Sequence, residues 1–393
     1  MYKKLFLKSG RERSLYNRHP WLFSGGVKQA PQATEGEIIQ VCSNHGDLLG
    51  YGFYSTHSQI VCRLFEFTQD EKLIIDETYW LNKVKMAYAL RSAHVLNPET
   101  NCYRLLHAEG DFTPGIICDI YNNVASVQLL IKGTELIQEQ LIRAIEQITG
   151  VDHVFLKTKK SSQMMEGVES GTRWTTNPPV SKTEVTENNI RFLVDVEHGQ
   201  KTGFFIDQRD NRQLLTHFAK DKKVLNTFSY TGGFSLYALA GGASLVHSVD
   251  ISKDACSMCD ENVTLNFPDC TIHESFSADC FDFIKQQAEQ YDVIVLDPPA
   301  FAKNARSVDN AARGYKELNM AAIKKIKSGG IIFTFSCSQN IDRDLFRKIV
   351  FSAAADARRN VRIIHQLTQP ADHPVNIFHP EGEYLKGLVL QVE

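Results

Sequence analysis

Two short segments gather residue types that carry out group transfer. Residues 330–336 are largely apolar and run into Phe335-Ser336-Cys337-Ser338, so a thiol sits where a buried strand meets solvent, as a nucleophile requires. Residues 292–297 run into Asp297-Pro298-Pro299-Ala300-Phe301, where the prolines stiffen the chain and aim the carboxylate and nearby backbone at one place. Alone, Cys337 is better accounted for as a small apolar residue closing a core strand. Together the segments suit one reaction. Carbon 5 of cytosine is a poor nucleophile, but a thiolate added at carbon 6 turns the ring into an enamine that is nucleophilic at carbon 5. Asp297 would bond the ring nitrogen and exocyclic amine and stabilise the charge formed on addition. The base that takes the carbon-5 proton is not evident. Asp372-His373 is a candidate for that base or for a contact to the target nucleotide, and is equally well read as a structural turn before Pro374.

A donor site precedes these segments. The run 223–228 leads into Ser229-Tyr230-Thr231-Gly232-Gly233, and Asp250 follows Tyr230 by twenty positions. In doubly wound folds a glycine-bearing first turn admits a ligand to the backbone, and an acidic residue about 20 positions on binds ribose hydroxyls. The G-x-G-x-x-G and G-x-x-x-x-G-K-[ST] spacings are both absent, so the ribose site comes without a phosphate cradle. That combination suits S-adenosylmethionine. Asp250, Asp279 and Asp297 add negative charge suited to a cationic sulfonium ligand with an α-amino group.

These positions need a scaffold of alternating strands and helices. Strands are expected at 223–228, 244–250, 292–297, 330–336, 362–366 and 385–392, and helices at 235–240, 253–266, 281–287, 315–326 and 343–357. Such βα repeats imply an α/β fold with a mostly parallel, doubly wound sheet and ligands at the strands' carboxyl ends. Residues 1–70 read instead as a small β-rich barrel or sheet (strands 36–41, 48–54 and 59–67). Residues 71–182 form a central α+β region, with helices at 79–92 and 135–148 and strands at 115–119, 124–130 and 153–157. Residues 161–183, with Pro178-Pro179, read as a linker or hairpin. The doubly wound domain then occupies 183–393.

The chain has 393 residues, 43% hydrophobic and 23% charged, with net charge −3, which fits a folded multidomain protein and excludes a wholly disordered or fibrous one. Nine cysteines, an odd number, make a disulfide scaffold improbable and favour a reducing, cytoplasmic setting. The basic start offers too few apolar residues for a signal sequence, and no run approaches the roughly 18 apolar residues of a membrane span, so no membrane partner is expected. Charge is uneven: Lys3, Lys4, Lys8, Arg11, Arg13, Arg18 and Lys28 stand against Glu12, with Tyr16, His19, Trp21 and Phe23 interleaved. Such a stretch is a candidate RNA surface, or a solvated basic face over core aromatics. His107, Glu109 and Asp111 flank Gly110 and fit turn chemistry better than a site. Cys256, Cys259, Cys270 and His273 have zinc-like spacing, but Cys256 and Cys259 fall within an expected helix packed on the sheet, so no metal is assigned.

The segments now assembled carry a family resemblance. Residues 201–212 (Lys201-Thr202-Gly203-Phe204-Phe205-Ile206-Asp207-Gln208-Arg209-Asp210-Asn211-Arg212), 225–234, 297–301, Arg313-Gly314-Tyr315-Lys316, Ser336-Cys337-Ser338, Asp372-His373-Pro374 and Tyr384-Leu385-Lys386-Gly387 resemble the bacterial 23S ribosomal RNA cytosine-5 methyltransferases. The resemblance covers nearly the whole chain. It implies an N-terminal PUA β-barrel domain, a central α+β domain and a C-terminal Rossmann-like class I methyltransferase domain using S-adenosylmethionine. It also implies Cys337 as nucleophile and Asp297 beside the target base, with cofactor contacts from Phe205, Asp207, Arg209, Phe228, Ser229, Gly232, Asp250, Asp279 and Asp297. The partner is then 23S ribosomal RNA with an unpaired or locally opened target. Oligomeric state stays open, a homodimer being one option. Many RNA cytosine-5 enzymes carry a second cysteine after the prolines, where this chain has Ala300, which leaves product release unassigned. Methylation of an exocyclic base amine and a non-catalytic ribosome-assembly role are the alternatives.

Overall fold

Short apolar-rich runs near the N-terminus build a sheet whose central strands are buried on both faces, with Leu5, Ile39, Val41, Cys62 and Leu64 in one cluster and Tyr51, Phe53 and Phe65 in another. The computed structural model describes residues 2–158, 160–178, 182–302 and 305–393. Among these, β1 (Lys4–Leu7), β2 (Trp21–Phe23), β3 (Val27–Gln29), β4 (Ile38–Cys42), β5 (Leu48–Tyr54) and β6 (Ile60–Glu66) form one sheet in the order β2-β6-β5-β4-β1-β3, with helix α1 (Arg13–Tyr16) between β1 and β2. Helix α2 (Glu77–His94), capped by the Asp76 carboxylate on Tyr79 N, leads to a second sheet. This second sheet orders β7 (Cys102–His107), β8 (Ile116–Tyr121), β9 (Val124–Leu129), β10 (His153–Leu156) and β11 (Arg173–Trp174) as β11-β10-β9-β8-β7. Helices α3 (Lys132–Leu136) and α4 (Gln138–Thr149) cross from β9 to β10, which pair in parallel.

The two sheets share one core. Cys42, Tyr51, Phe53 and Phe65 from the first pack with Trp80 and Val84 of α2, Leu105 and Ile116 of the second sheet, and Leu141 of α4. Chain packing divides the molecule into two units: 1–186, 194–206 and 371–382 make the first, and 187–193, 207–370 and 383–393 the second. The expected boundary near 70 therefore falls inside one packed unit, and 194–206 and 371–382 pack with the first unit although they lie in the segment assigned to the doubly wound domain. The expected linker 161–183 contains helix α5 (Lys160–Glu166) and strand β11, which pairs with β10; Pro179 lies outside the described residues. Strands β12 (Thr183–Glu187) and β13 (Ile190–Val194) pair as a two-stranded sheet.

The second unit is the doubly wound sheet expected from the βα rhythm. Its strands β14 (Lys223–Thr227), β15 (Leu245–Asp250), β16 (His273–Ser277), β17 (Val293–Leu296), β18 (Gly330–Ser336), β19 (Val361–Thr368) and β20 (Lys386–Val392) run in the order β16-β15-β14-β17-β18-β20-β19. The first five are parallel, and β20 inserts antiparallel to both neighbours. Helices α6 (Arg209–Ala219), α7 (Gly233–Ala240), α8 (Lys253–Asn266), α9 (Cys280–Gln287), α10 (Val308–Lys325) and α11 (Arg343–Ala357) connect or flank them. Strand β16 and helix α6 were not foreseen, nor was β7 in the first unit. Chain order reverses between β14 and β17, and such a switch point opens a crevice at the strand ends.

Candidate active site

The loop after β14 holds a costly backbone shape. Phe228 (φ +54°), Tyr230 (φ +47°) and Gly232 (φ +86°) are all left-handed, and each such non-glycine residue costs on the order of 1–3 kcal/mol. Neighbouring elements hold the loop in place. Phe228 N donates to Cys280 Sγ (3.2 Å), Ser229 N to Val249 O (3.0 Å), Tyr230 N to Asp250 Oδ2 (2.9 Å) and Gly232 N to Ser229 O (2.9 Å). Asn262 of α8 donates to Thr231 O at 3.0 Å. At Gly232 a Cβ would lie 2.4 Å from Cys259 Sγ, so both φ and space require glycine there.

This loop leaves polar atoms for a ligand. Ser229 Oγ and Thr231 Oγ1 are buried and have no hydrogen-bond partner among the described residues. Buried hydroxyls left so cost about 1–3 kcal/mol each unless a bound group satisfies them. Asp250 takes Tyr230 N on one carboxylate oxygen and Ser252 N on the other (2.9 Å), and each oxygen retains a second lone pair for a hydroxyl donor. These features fit the ribose end of an adenosine-type cofactor.

Functional positions line up along one sheet edge. Strand order places Asp279 just beyond β16, Asp250 at the end of β15, the Phe228–Gly232 loop after β14, Asp297 after β17 and Cys337 after β18. Asp279 is exposed and caps α9 by accepting from Asp282 N (3.0 Å). Burial pushes the Cys280 thiol up to about 12, so it stays a neutral donor to Val249 O. Asp207 is buried and accepts from the Tyr384 hydroxyl at 2.7 Å. Arg209 comes within 3.6 Å of Glu187, which Arg212 holds through two hydrogen bonds (2.9 and 2.7 Å) and Tyr237 through a third (2.9 Å). Arg209 thus belongs to a buried charge cluster that spacing alone did not suggest. Phe205 packs in the first unit, under the Lys201 ammonium at 4.3 Å.

Asp297 and Cys337, both half-buried, end adjacent parallel strands paired Leu296 to Thr334. Cys337 Sγ lies 4.0 Å from Pro298 O. The residue that joins their loops is Ser338. Its Oγ accepts from Ala302 N (3.1 Å) and lies 3.0 Å from the Tyr315 hydroxyl, and its carbonyl accepts from Lys386 Nζ (2.6 Å). The Phe301 ring packs on Tyr315 (4.6 Å between centroids), over Gly314, whose Cβ would meet that ring at 3.2 Å. Three other segments therefore converge on one serine. Burial raises the Tyr315 hydroxyl and keeps it neutral. Burial also lowers Lys386 to about 8, opposed by the negative charges of Cys337, Glu383 and Asp342. The sequence reading quoted Ser338 and Lys386 within shared segments but gave neither a role, although a lysine inside the run Leu385-Lys386-Gly387-Leu388-Val389-Leu390 was an available signal.

The remaining candidates are placed as follows. Cys259 Sγ lies 3.7 Å from His273 Nε2, both bonded to the Ser248 hydroxyl, while Cys256 turns to Asp250 O; among the described residues no group of three or more ligand-type side chains is arranged to hold a metal. Asp372 and His373 are buried within the first unit, where Arg91 Nη2 donates to Asp372 O (2.9 Å) and Arg104 N to Asp372 Oδ2 (3.0 Å). Asp111 also receives Arg91, at 2.7 Å, and within its turn accepts from His107 N at 2.6 Å. On the N-terminal surface Lys3 and Lys4 pair with Glu37 and Glu71, and Trp21 Nε1 donates to Glu109 (2.8 Å). Lys8, Arg11, Arg13, Arg18 and Lys28 are exposed, as are Tyr16 and Phe23.

Comparison with known proteins agrees with this architecture. A family model described as an S-adenosylmethionine-dependent methyltransferase matches residues 103–379, and a PUA-like domain model matches 5–67. The chain is 41% identical over 396 residues to a protein of Alteromonas mediterranea named ribosomal RNA large subunit methyltransferase I, covering 100% of this chain and 99% of that one. It is 39% identical over 397 residues to the Escherichia coli protein of the same name, covering 100% of both. Among solved structures, a methyltransferase complexed with SAH superposes with a TM-score of 0.85, and an S-adenosylmethionine-dependent methyltransferase from Streptococcus mutans with 0.84. Both are 24% identical and cover 99% of this chain and 100% of theirs. No helix among the described residues is long and apolar enough to cross a membrane.

Proposed function

The chain belongs to the S-adenosylmethionine-dependent methyltransferases of the ribosomal RNA large subunit methyltransferase I family, and on that premise we propose that it methylates carbon 5 of a cytosine in 23S ribosomal RNA. One observation carries the choice of atom: a half-buried thiol, Cys337, and a half-buried carboxyl, Asp297, end neighbouring strands beside the donor loop. S-adenosylmethionine, when bound, supplies a methyl group on a sulfonium.

In this reading Ser229, Gly232 and Asp250 hold the adenosine end, with Phe228, Asp207, Arg209 and Asp279 as further contacts. Asp297 bonds the Watson–Crick edge of the cytosine and orients the ring. Cys337 Sγ, as thiolate, bonds to carbon 6 and makes carbon 5 nucleophilic. Once carbon 5 has gained the methyl group and lost its proton, the carbon 6–sulfur bond breaks and the thiolate returns. A stacked base cannot reach the thiol, so the target is an unpaired or locally opened nucleotide. The exposed Lys8, Arg11, Arg13, Arg18 and Lys28, with Tyr16 and Phe23, suit the phosphates and bases of RNA. We assign the protein to the cytoplasm, and keep 1–70, 71–182 and 183–393 as segments of the sequence, the first two of which belong to one packed unit together with 194–206 and 371–382 of the third.

Ribosomal RNA from cells lacking the protein, treated with the pure enzyme and labelled donor and digested to nucleosides, tests the reading. Label in 5-methylcytidine supports it; label only in N4-methylcytidine, or none, overturns it.

A further inference from the structure

Lys386 occupies an unusual place for a lysine. It opens β20 opposite Ser336 of β18, one residue before Cys337, and is only 4% exposed. Burying a charged amine is costly unless something nearby needs the charge or the donors. Its partners are two backbone carbonyls, Ser338 O at 2.6 Å and Tyr384 O at 2.8 Å, and among the described residues no carboxylate lies within 4 Å of its nitrogen.

The charges around it are committed elsewhere. From the start of α11, Asp342 accepts Leu345 N as that helix's cap, and Arg343 pairs with Glu383 on the approach to β20. The Tyr384 hydroxyl is turned to Asp207, and the Tyr315 hydroxyl to Ser338. Lys386 pairs with Ser336 and bonds the carbonyl of Ser338, the residues on either side of Cys337, so a charge on that sulfur acts on the ammonium.

We propose that Lys386 is a positioning residue for the transfer reaction: it pins the Ser336–Ser338 turn through the Ser338 carbonyl and sets a positive charge beside the Cys337 sulfur, favouring the thiolate. The inference rests on Cys337 being the nucleophile. As an ammonium Lys386 has three donors, of which two go to these carbonyls and the third stays available to a thiolate. A methionine could fill the same space with less desolvation cost, so the charge itself is what the site retains.

The test measures the alkylation rate of Cys337 by iodoacetamide against pH, read by mass spectrometry of the Cys337 peptide from the full-length protein. It compares wild type, Lys386→Met and Lys386→Arg, with folding checked by thermal melting. Lys386→Met should raise the alkylation midpoint by about one pH unit, roughly a tenfold loss of thiolate near neutrality, and Lys386→Arg should keep it near wild type. Lys386→Gln, a neutral donor to the same carbonyls, replaces the methionine variant if that one fails to fold. An unmoved midpoint in a folded neutral variant overturns the inference. Methyl transfer by Cys337→Ser separates the two readings: retained transfer removes the nucleophile assignment, whereas its loss together with an unmoved midpoint removes only the role of Lys386.

Discussion

Tyr384 donates its hydroxyl to the buried Asp207 carboxylate at 2.7 Å across 177 positions of sequence. The bond fixes a carboxylate proposed to contact the cofactor and anchors the turn that leads into Lys386. Tyr384→Phe removes the donor while keeping the ring, and a lost hydrogen bond to a buried charged group costs about 1.5–3 kcal/mol. The variant should melt several degrees lower and bind S-adenosylhomocysteine several-fold more weakly by calorimetry. Unchanged affinity would place Asp207 outside the cofactor site.

Replacement of the thiol separates binding from chemistry. Cys337→Ala should reduce methyl incorporation into ribosomal RNA at least about a thousandfold, because the enamine route closes. Calorimetric binding of S-adenosylhomocysteine should stay within about twofold of wild type, since the donor loop lies at other strand ends. Appreciable turnover by this variant would refute covalent catalysis.

The donor loop should be intolerant of a side chain at Gly232. Gly232→Ala meets both the φ of +86° and the Cys259 sulfur 2.4 Å away, and strain of this kind costs about 1–3 kcal/mol. Urea denaturation should show the loss. Adding Cys259→Ala should recover the steric share and leave the conformational share.

Lys386 carries a signed pH dependence. Its folded pKa of about 8 lies below the ordinary lysine value of 10.5, so between those values the unfolded chain binds more protons, and this residue's contribution to stability rises with pH across that window. Lys386→Met should flatten the urea-midpoint profile between pH 8 and 10.5 relative to wild type. Methyl transfer, in contrast, should fall as pH rises through about 8, where the ammonium loses its charge, and Lys386→Arg should carry activity further into base. A wild-type rate that keeps rising through pH 9 would contradict the assignment.

Local pattern carried much of this molecule. The apolar periodicity of Lys253–Asn266 and Arg343–Ala357, and the buried run Gly330–Ser336, specify those elements within a few residues, because helix and strand periods are written in near neighbours. The strand-end positions of Asp250, Asp297 and Cys337 followed from the same runs. Weaker signals were lost. His273–Ser277 is a polar edge strand with no buried face to mark it, and in Arg209–Ala219 buried Arg209, Asn211 and Arg212 break the apolar stripe because they satisfy charge and hydrogen bonds.

The sequence by itself determined which chemical groups the chain owns and that they stand at the ends of strands in a doubly wound sheet. Tertiary structure alone decided their company: β20 entering antiparallel beside β18, Ser338 receiving Ala302, Tyr315 and Lys386, and 371–382 packing with the first unit. Those pairings join residues 23 to more than 250 positions apart, and what selects them is the satisfaction of buried polar groups in a crowded interior. No window of neighbouring residues contains that information.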